Sequence, residues 1–280
     1  MAEARVAGGT AAGVSGPGLY LRFVAQSVRG HLQYRLSFML MMFGHFITSA
    51  VEAVGIWALF DRFGMLAGWS LPQVAFLYGI VNCAFPLAEA LARGFDVFGT
   101  EFVKTGDFDR VLVRPRSTLL QIAGFDFQLQ RIGRLLQGLI VLGWAICMLD
   151  IDWHPGKVAL LLFTICSGVL FFYALFIFQA TLSFWATESL EIMNTLTYGG
   201  TETAQYPMSI YRESFWRFFT FVVPLGCISY FPTLAIFGIN DPLGSTLLLQ
   251  CLAPLAGFVF FAAALFAWGF GIRHYTSAGG

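Results

Sequence analysis

Charge is what this chain has least of. Its 280 residues include 16 Lys and Arg and 16 Asp and Glu, together 11% of the total, against about 25% in a soluble domain. A soluble globule of this length would still need a polar surface, so the deficit argues against one. The formal net charge is zero, and nothing in it suggests a nucleic-acid partner. Cysteines do not pair in the sequence: Cys83, Cys147, Cys166, Cys227 and Cys251 all fall in apolar runs and none belongs to a C-x-x-C motif, the pattern of small apolar residues. His31, His45, His154 and His274 are scattered without metal-ligand spacing, so no metal site is expected. There is no GxxxxGK[ST] to cradle ATP, no H-E-x-x-H and no G-x-S-x-G. His45 with Ser167 or Ser183 is the one pairing an intramembrane hydrolase could use, and nothing around them supports it.

Apolar residues are abundant instead. They make up 58% of the chain, with 31 Phe and 7 Trp, as suits a lipid-facing surface with aromatic belts. They come in runs long enough to cross a bilayer. Residues 1–16 are Gly- and Ala-rich and read as a disordered tail. No signal peptide is evident, because the first apolar run starts late. Residues 17–35 set Leu19 and Phe23 against Arg22, Arg29 and Arg35, the pattern of an amphipathic helix lying at the membrane surface. Spans are predicted at 36–60, 73–92, 135–149, 158–184 and 245–270. A further crossing falls in 185–240, either as the apolar stretch 215–239, interrupted by Pro224 and Pro232, or as the more polar 186–206. In the second case 207–240 becomes a re-entrant hairpin, since non-helical backbone at membrane depth is tolerated where protein buries it. The fold class is therefore all-α: a polytopic membrane protein with six transmembrane helices, an N-terminal interface helix and, in one of the two readings, a re-entrant hairpin before the last span.

Basic residues favour the cytoplasmic side. Arg5, Arg22, Arg29 and Arg35 precede the first span, and Arg273 follows the last. Arg93, Lys104, Arg110, Arg114, Arg116, Arg131 and Arg134 lie in the 93–134 loop. These take twelve of the sixteen basic residues and predict that both termini and this loop are cytoplasmic.

The loop is the best functional candidate. Phe102, Val103, Phe108, Val111, Leu112 and Val113 alternate with charges beside the membrane, more apolar residues than a solvated connection needs. Pro115 should end any helix there. The plainer reading is an interfacial anchor. Within the spans, Glu52 sits mid-membrane, a candidate for a substrate path, an inter-subunit hydrogen bond or a structural one. Glu89 lies near a cytoplasmic end and reads as interfacial. Glu188, Glu191, Asn194 and Glu202 make 186–206 polar for a span; they should face a protein interior or cavity, unless the segment is cytoplasmic and solvated.

The loop resembles that of the ABC-2-type permeases, the membrane subunits of ATP-binding-cassette exporters. Glu101, Gly106, Asp109, Leu112 and Pro115 match the family pattern in order, and FDRVLVRP resembles a bacterial branch whose genes often encode two different permeases beside one ATPase. FWATESLEIMN, YPMSIYRESFWRFFTFVVPLGCISYFP and IRHYTSAGG resemble the same branch, so the likeness covers roughly residues 20–280. The resemblance implies six spans, cytoplasmic termini, a coupling helix after span two and re-entrant outer helices after span five. It places the chain in the bacterial cytoplasmic (inner) membrane, with two copies of an ATP-binding-cassette ATPase, a second permease or a second copy of itself, and lipid as partners. The chain itself would bind no cofactor; ATP and Mg would belong to the ATPase. The expected docking segment is 100–115, with contacts from Glu101, Phe102, Asp109, Arg110 and Arg114 and with Phe102 and Phe108 as anchors. Drugs, lipids, glycans and peptides all remain open as substrates, the aromatic spans favouring an amphipathic or apolar one. A stand-alone secondary transporter, which should show internal repeats, and a membrane enzyme are the alternative readings.

Overall fold

A computed structural model describes residues 16–186 and 193–276. The described residues form helices, with one isolated antiparallel bridge between Leu66 and Trp69. Helix α1 (Gly16–Gln33) leads into α2 (Arg35–Phe63), and α3 (Leu71–Asp96) returns. The short helices α4 (Asp107–Val113) and α5 (Thr118–Ala123) follow, then α6 (Ile132–Met148) and α7 (Pro155–Leu182). Beyond these come α8 (Gly200–Ala204), α9 (Glu213–Arg217), α10 (Leu225–Ile228), α11 (Tyr230–Phe237), α12 (Leu247–Leu252) and α13 (Leu255–Arg273).

Helix α3 is the axis of the molecule. Its most apolar stretch is 89% buried, whereas that of α2 is 11% buried and faces outward. Ser70 caps its start: the Ser70 backbone N–H donates to Gln73 Oε1 at 2.9 Å, fixing where the chain turns back. Helix α6 packs against it at almost backbone distance. A methyl group on Gly79 would lie 2.8 Å from Leu142 Cα, and one on Gly138 would lie 2.6 Å from the Asn82 carbonyl oxygen. That carbonyl is the one Pro86 leaves without its helical donor, so the close approach of Gly138 falls where α3 is already irregular.

Two sets of contacts define the ends of the bundle. At one end, Ser27 Oγ donates to Asp126 Oδ1 at 3.0 Å, and Phe108 meets Tyr275 edge-on at 5.0 Å. Helix α1, the 97–131 segment and the C-terminal residues therefore gather together; we refer to this as the terminal end. At the far end, Trp69 Nε1–H donates to Ser209 Oγ at 3.2 Å and its ring packs on Tyr230 at 5.9 Å and Phe237 at 6.5 Å.

The same contacts place the described ends of region 185–240. Trp185 stacks on Phe270 at 6.2 Å at the terminal end. Ser209 lies at the far end, so the chain crosses between them, passing Tyr198 against Phe85 at 5.6 Å. Residues 187–192, among them Glu188 and Glu191, lie outside the described residues. Ser209 and Phe237 both touch Trp69, so the segment between them enters and leaves at the far end. It is a re-entrant hairpin, bent by 70° between Glu213–Val222 and Leu225–Phe237. A continuous helix over 215–239 does not form: Val223 is extended and Pro224 supplies no N–H, so the helix breaks there. With the five helices long and apolar enough to span, the crossing makes six. The last span is itself broken, α12 from α13, around Pro254, whose carbonyl accepts a hydrogen bond from Ser167 Oγ.

In a variant lacking the native cysteines, Arg212→Cys and Met65→Cys should react with an impermeant thiol reagent from one side of the membrane and Arg116→Cys only from the other. Labelling of positions 212 and 116 from the same side would rule out the hairpin.

Candidate functional site

Two sets of residues carry the chemistry, one at the terminal end and one inside the bundle. The first begins where α3 ends in the Arg93–Asp96 ion pair at 2.6 Å. A π-helical turn, Gly99–Val103, follows. Gly106, at φ 75°, makes the left-handed turn that starts α4. Asp107 and Asp109 occupy the first turn of α4, where the helix dipole favours negative charge. Arg114 is extended (ψ 133°) ahead of Pro115, which ends α4 as the sequence requires.

Phe102 and Phe108, read from the sequence as anchors for a partner, point into the molecule instead. Phe108 is fully buried against Phe98 at 5.0 Å and Tyr275 at 5.0 Å. Phe98 in turn meets Trp268 at 5.1 Å and Phe184 at 5.2 Å, and Phe102 meets Phe125 at 4.9 Å. The reason is hydrophobic: a ring pointing away from α4 towards the ends of α3, α7 and α13 leaves water entirely. The cluster fastens α4 to three spanning helices. What α4 presents outward is Leu112 and Val113, the latter 85% exposed, beside Arg110, Arg114, Pro115 and Arg116. Glu101 and Lys104 are exposed on the neighbouring turn, while Gly106 and Asp109 are half-buried.

The second set is a polar seam between α2, α3, α6 and the fifth crossing. Arg134 Nε donates to Asn82 Oδ1 at 2.8 Å, its Nη2 lies 3.5 Å from Glu52 Oε2, and its guanidinium sits 5.4 Å over the Phe85 ring. Towards the terminal end, Arg131 Nη2 pairs with Glu89 Oε1 at 2.9 Å, and Tyr198 donates to the same carboxylate at 3.4 Å. Towards the far end, the Tyr78 hydroxyl reaches the Ser49 carbonyl at 2.9 Å and Gln137 Oε1 at 3.3 Å. Glu89 is enclosed by protein, its side chain only 4% exposed. Nor do Arg131 and Arg134 belong to the solvated loop: Arg131, in the turn just before α6, pairs with Glu89, and α6, starting at Ile132, carries Arg134 into the bundle.

Charges at membrane depth are expensive and face partners or cavities. The two arginines pair with Glu52 and Glu89. Glu202 is a third carboxylate, within electrostatic reach of Glu52 and Arg134, and among the described residues it forms no ion pair. It is exposed on the fifth crossing with Asn194 and Tyr198, at four-residue spacing along one face. Of the residues singled out from sequence, the structure brings Glu52 to this seam and puts Asn194 on the exposed stripe beside it. Those missed are Asn82, Arg131, Arg134 and Gln137 as members of one network, while Glu202, singled out from sequence with Asn194, lies on the same exposed stripe. The available signal was spacing: Tyr78, Asn82 and Glu89 share a face of α3, as do Arg131, Arg134 and Gln137 at the start of α6.

A family model described as "ABC-2 family transporter protein" matches residues 46–279. No curated protein and no solved structure matches the chain.

Arg134→Met should leave the buried Asn82 Oδ1 without its donor and Glu52, whose side chain is 34% exposed, without its counter-charge, and destabilise the fold by about 1–3 kcal/mol. Adding Glu52→Gln should recover part of that loss. Thermal unfolding in detergent measures both; equal stability of the single and double variants would show that the pair is uncoupled.

Proposed function

The chain belongs to the ABC-2 family of transporter proteins, and we propose that it is the permease subunit of an ATP-driven exporter, coupled to its ATPase through the exposed tip of α4. The observation that carries this reading is the pair Leu112 and Val113, held out of the molecule among basic side chains on a helix whose other face is fastened to three spans. An exposed aliphatic pair ringed by charge suits the buried centre of an interface. Displacement of such a tip would pass through Phe108 and Phe98 to the ends of α3, α7 and α13.

In this reading the terminal end is cytoplasmic, in a bacterial inner membrane, as the basic residues around it favour. Two ATPase subunits bind ATP and Mg, and a second permease, or a second copy, completes the path. The exposed stripe of Asn194, Tyr198 and Glu202, with Glu52 behind it, lines that path or its subunit contact, because carboxylates left to lipid would be costly.

The double variant Leu112→Asp, Val113→Asp should weaken ATPase association about 30-fold, the equivalent of roughly 2 kcal/mol for losing an interface anchor. Transport should fall with it while the melting temperature stays at the wild-type value. Phe108→Ala should instead lower folding stability by about 3–5 kcal/mol, the loss typical of a buried aromatic. Unchanged ATPase co-purification and transport in the double aspartate variant would remove the coupling role from α4.

A further inference from the structure

Helix α7 starts at the far end, and Lys157 lies in its first turn. The helix dipole disfavours a cation there, and no acidic residue accompanies it. Lys157 is half-buried, yet none of the ion pairs among the described residues includes it. Asp150 and Asp152, exposed in the preceding connection, do not pair with it. His154 stands at the cap position of the same helix, but its side chain makes no capping bond. Its ring folds over Gly156, where a methyl group would lie 3.0 Å from the ring carbon Cε1. Two side chains able to carry positive charge are thus left at one point of the surface without an anionic partner.

Both residues line a cavity of 680 Å³, within the range of small-molecule sites, about 300–1,000 Å³. Its other walls are apolar. Leu160 and Phe163 follow Lys157 at three-residue spacing along one face of α7, and Phe163 is fixed by stacking on Phe258 at 5.3 Å. Ala235 near the end of α11 and Leu247 at the start of α12 form the facing wall. Leu247 is 64% exposed, so the groove is open to the side.

The charge is confined to one end of this groove. From Lys157 to Phe163 the wall descends about 9 Å along the helix axis, at about 1.5 Å per residue, away from the molecular end and towards the middle of the membrane. A long flexible ammonium at the head of an apolar wall can reach the interface while its methylenes stay on the hydrocarbon side.

We propose that this groove holds a phospholipid with an anionic headgroup from the far-side leaflet, its phosphate against Lys157 and His154 and one acyl chain along Leu160 and Phe163. The order of groups in the wall is the order of groups in the lipid, charge outermost and hydrocarbon below. A small soluble anion would leave the apolar wall uncovered, and an uncharged hydrocarbon would leave Lys157 unpaired. A zwitterionic lipid offers the same phosphate but brings its own cation, which meets Lys157 with the same sign. The inference rests on the far end alone and is independent of the reading of α4.

A phosphatidylglycerol carrying a diazirine in one acyl chain tests this with the full chain in nanodiscs. After irradiation and digestion, mass spectrometry should find its adducts concentrated in residues 159–163 and 247–251, the two walls of the groove. Unlabelled phosphatidylglycerol should displace these adducts about fivefold more effectively than phosphatidylcholine, the preference expected of one basic side chain beside an anionic lipid. Lys157→Gln should reduce that preference to less than about twofold, and Lys157→Arg should keep it, since the guanidinium restores the charge. Ala159 lines the groove and is exposed, so Ala159→Trp should fill it without disturbing the fold. Adducts should then vanish from both walls while those elsewhere on the chain, and the melting temperature, stay at their wild-type values. Equal displacement by the two lipids, a preference above about twofold in Lys157→Gln, or wall adducts that survive Ala159→Trp would overturn the proposal.

Discussion

Hydrocarbon offers no hydrogen bonds, so a guanidinium inside a bilayer must find its partners in protein. Arg134 meets that requirement by reaching Asn82 on α3 and Glu52 on α2 from the first turn of α6, and three spanning helices are thereby held in register. Other features of the bundle follow from the same place. Gly138 lets α6 approach α3 one turn further on, at the Asn82 carbonyl that Pro86 leaves free. Tyr78 and Gln137 continue the seam towards the far end, and Arg131 with Glu89 continues it towards the terminal end. An apolar seam could pack as tightly but would allow α6 to slide. The ion pairs permit one register, because a shift of one residue would leave two charges unpaired in a low dielectric.

The terminal end is organised by a different force. Phe98, Phe108, Phe184, Trp268 and Tyr275 come from four separate stretches of chain and meet edge-on or tilted, with centroids 5.0–6.2 Å apart. Water is available here, so burial of rings supplies the free energy. The outcome is that a helix of seven residues, too short to be stable alone, becomes a rigid extension of the bundle. Rigidity matters to the function proposed for it, since a loosely tethered helix would absorb a partner's motion rather than pass it on.

The far end shows how the re-entrant segment is held. Trp69, from the short connection between the first two spans, contacts both the entry to the hairpin at Ser209 and its exit at Phe237. The hairpin interior is less completely satisfied. Its π-helical turn leaves the buried Thr220 hydroxyl unbonded, and Gly226 is packed closely by Thr220, Met208 and Phe231.

Composition and run length by themselves determined that the chain is a polytopic helical membrane protein, because a bilayer imposes a length and an apolarity that can be counted along a sequence. Pro115 likewise determined where α4 stops, through a local steric rule that needs no knowledge of the rest of the chain. The side on which each of the loop's rings would lie was not legible. Phe102 and Phe108 look in sequence like interface anchors, and only the convergence of Phe98, Phe184, Trp268 and Tyr275 on Phe108, and of Phe98 and Phe125 on Phe102, turns them inward. The same holds for the charges. Arg131 and Arg134 read as loop residues until α6 is seen to begin at Ile132, and Glu89 reads as interfacial until Arg131 and Tyr198 are seen around it. Region 185–240 was ambiguous for a related reason: hydropathy favours 215–239 as a crossing, yet whether a segment crosses depends on which end of the molecule each of its termini touches. That is a relation between residues far apart in the chain, Trp69 with Ser209 and Phe237, and no local pattern encodes it.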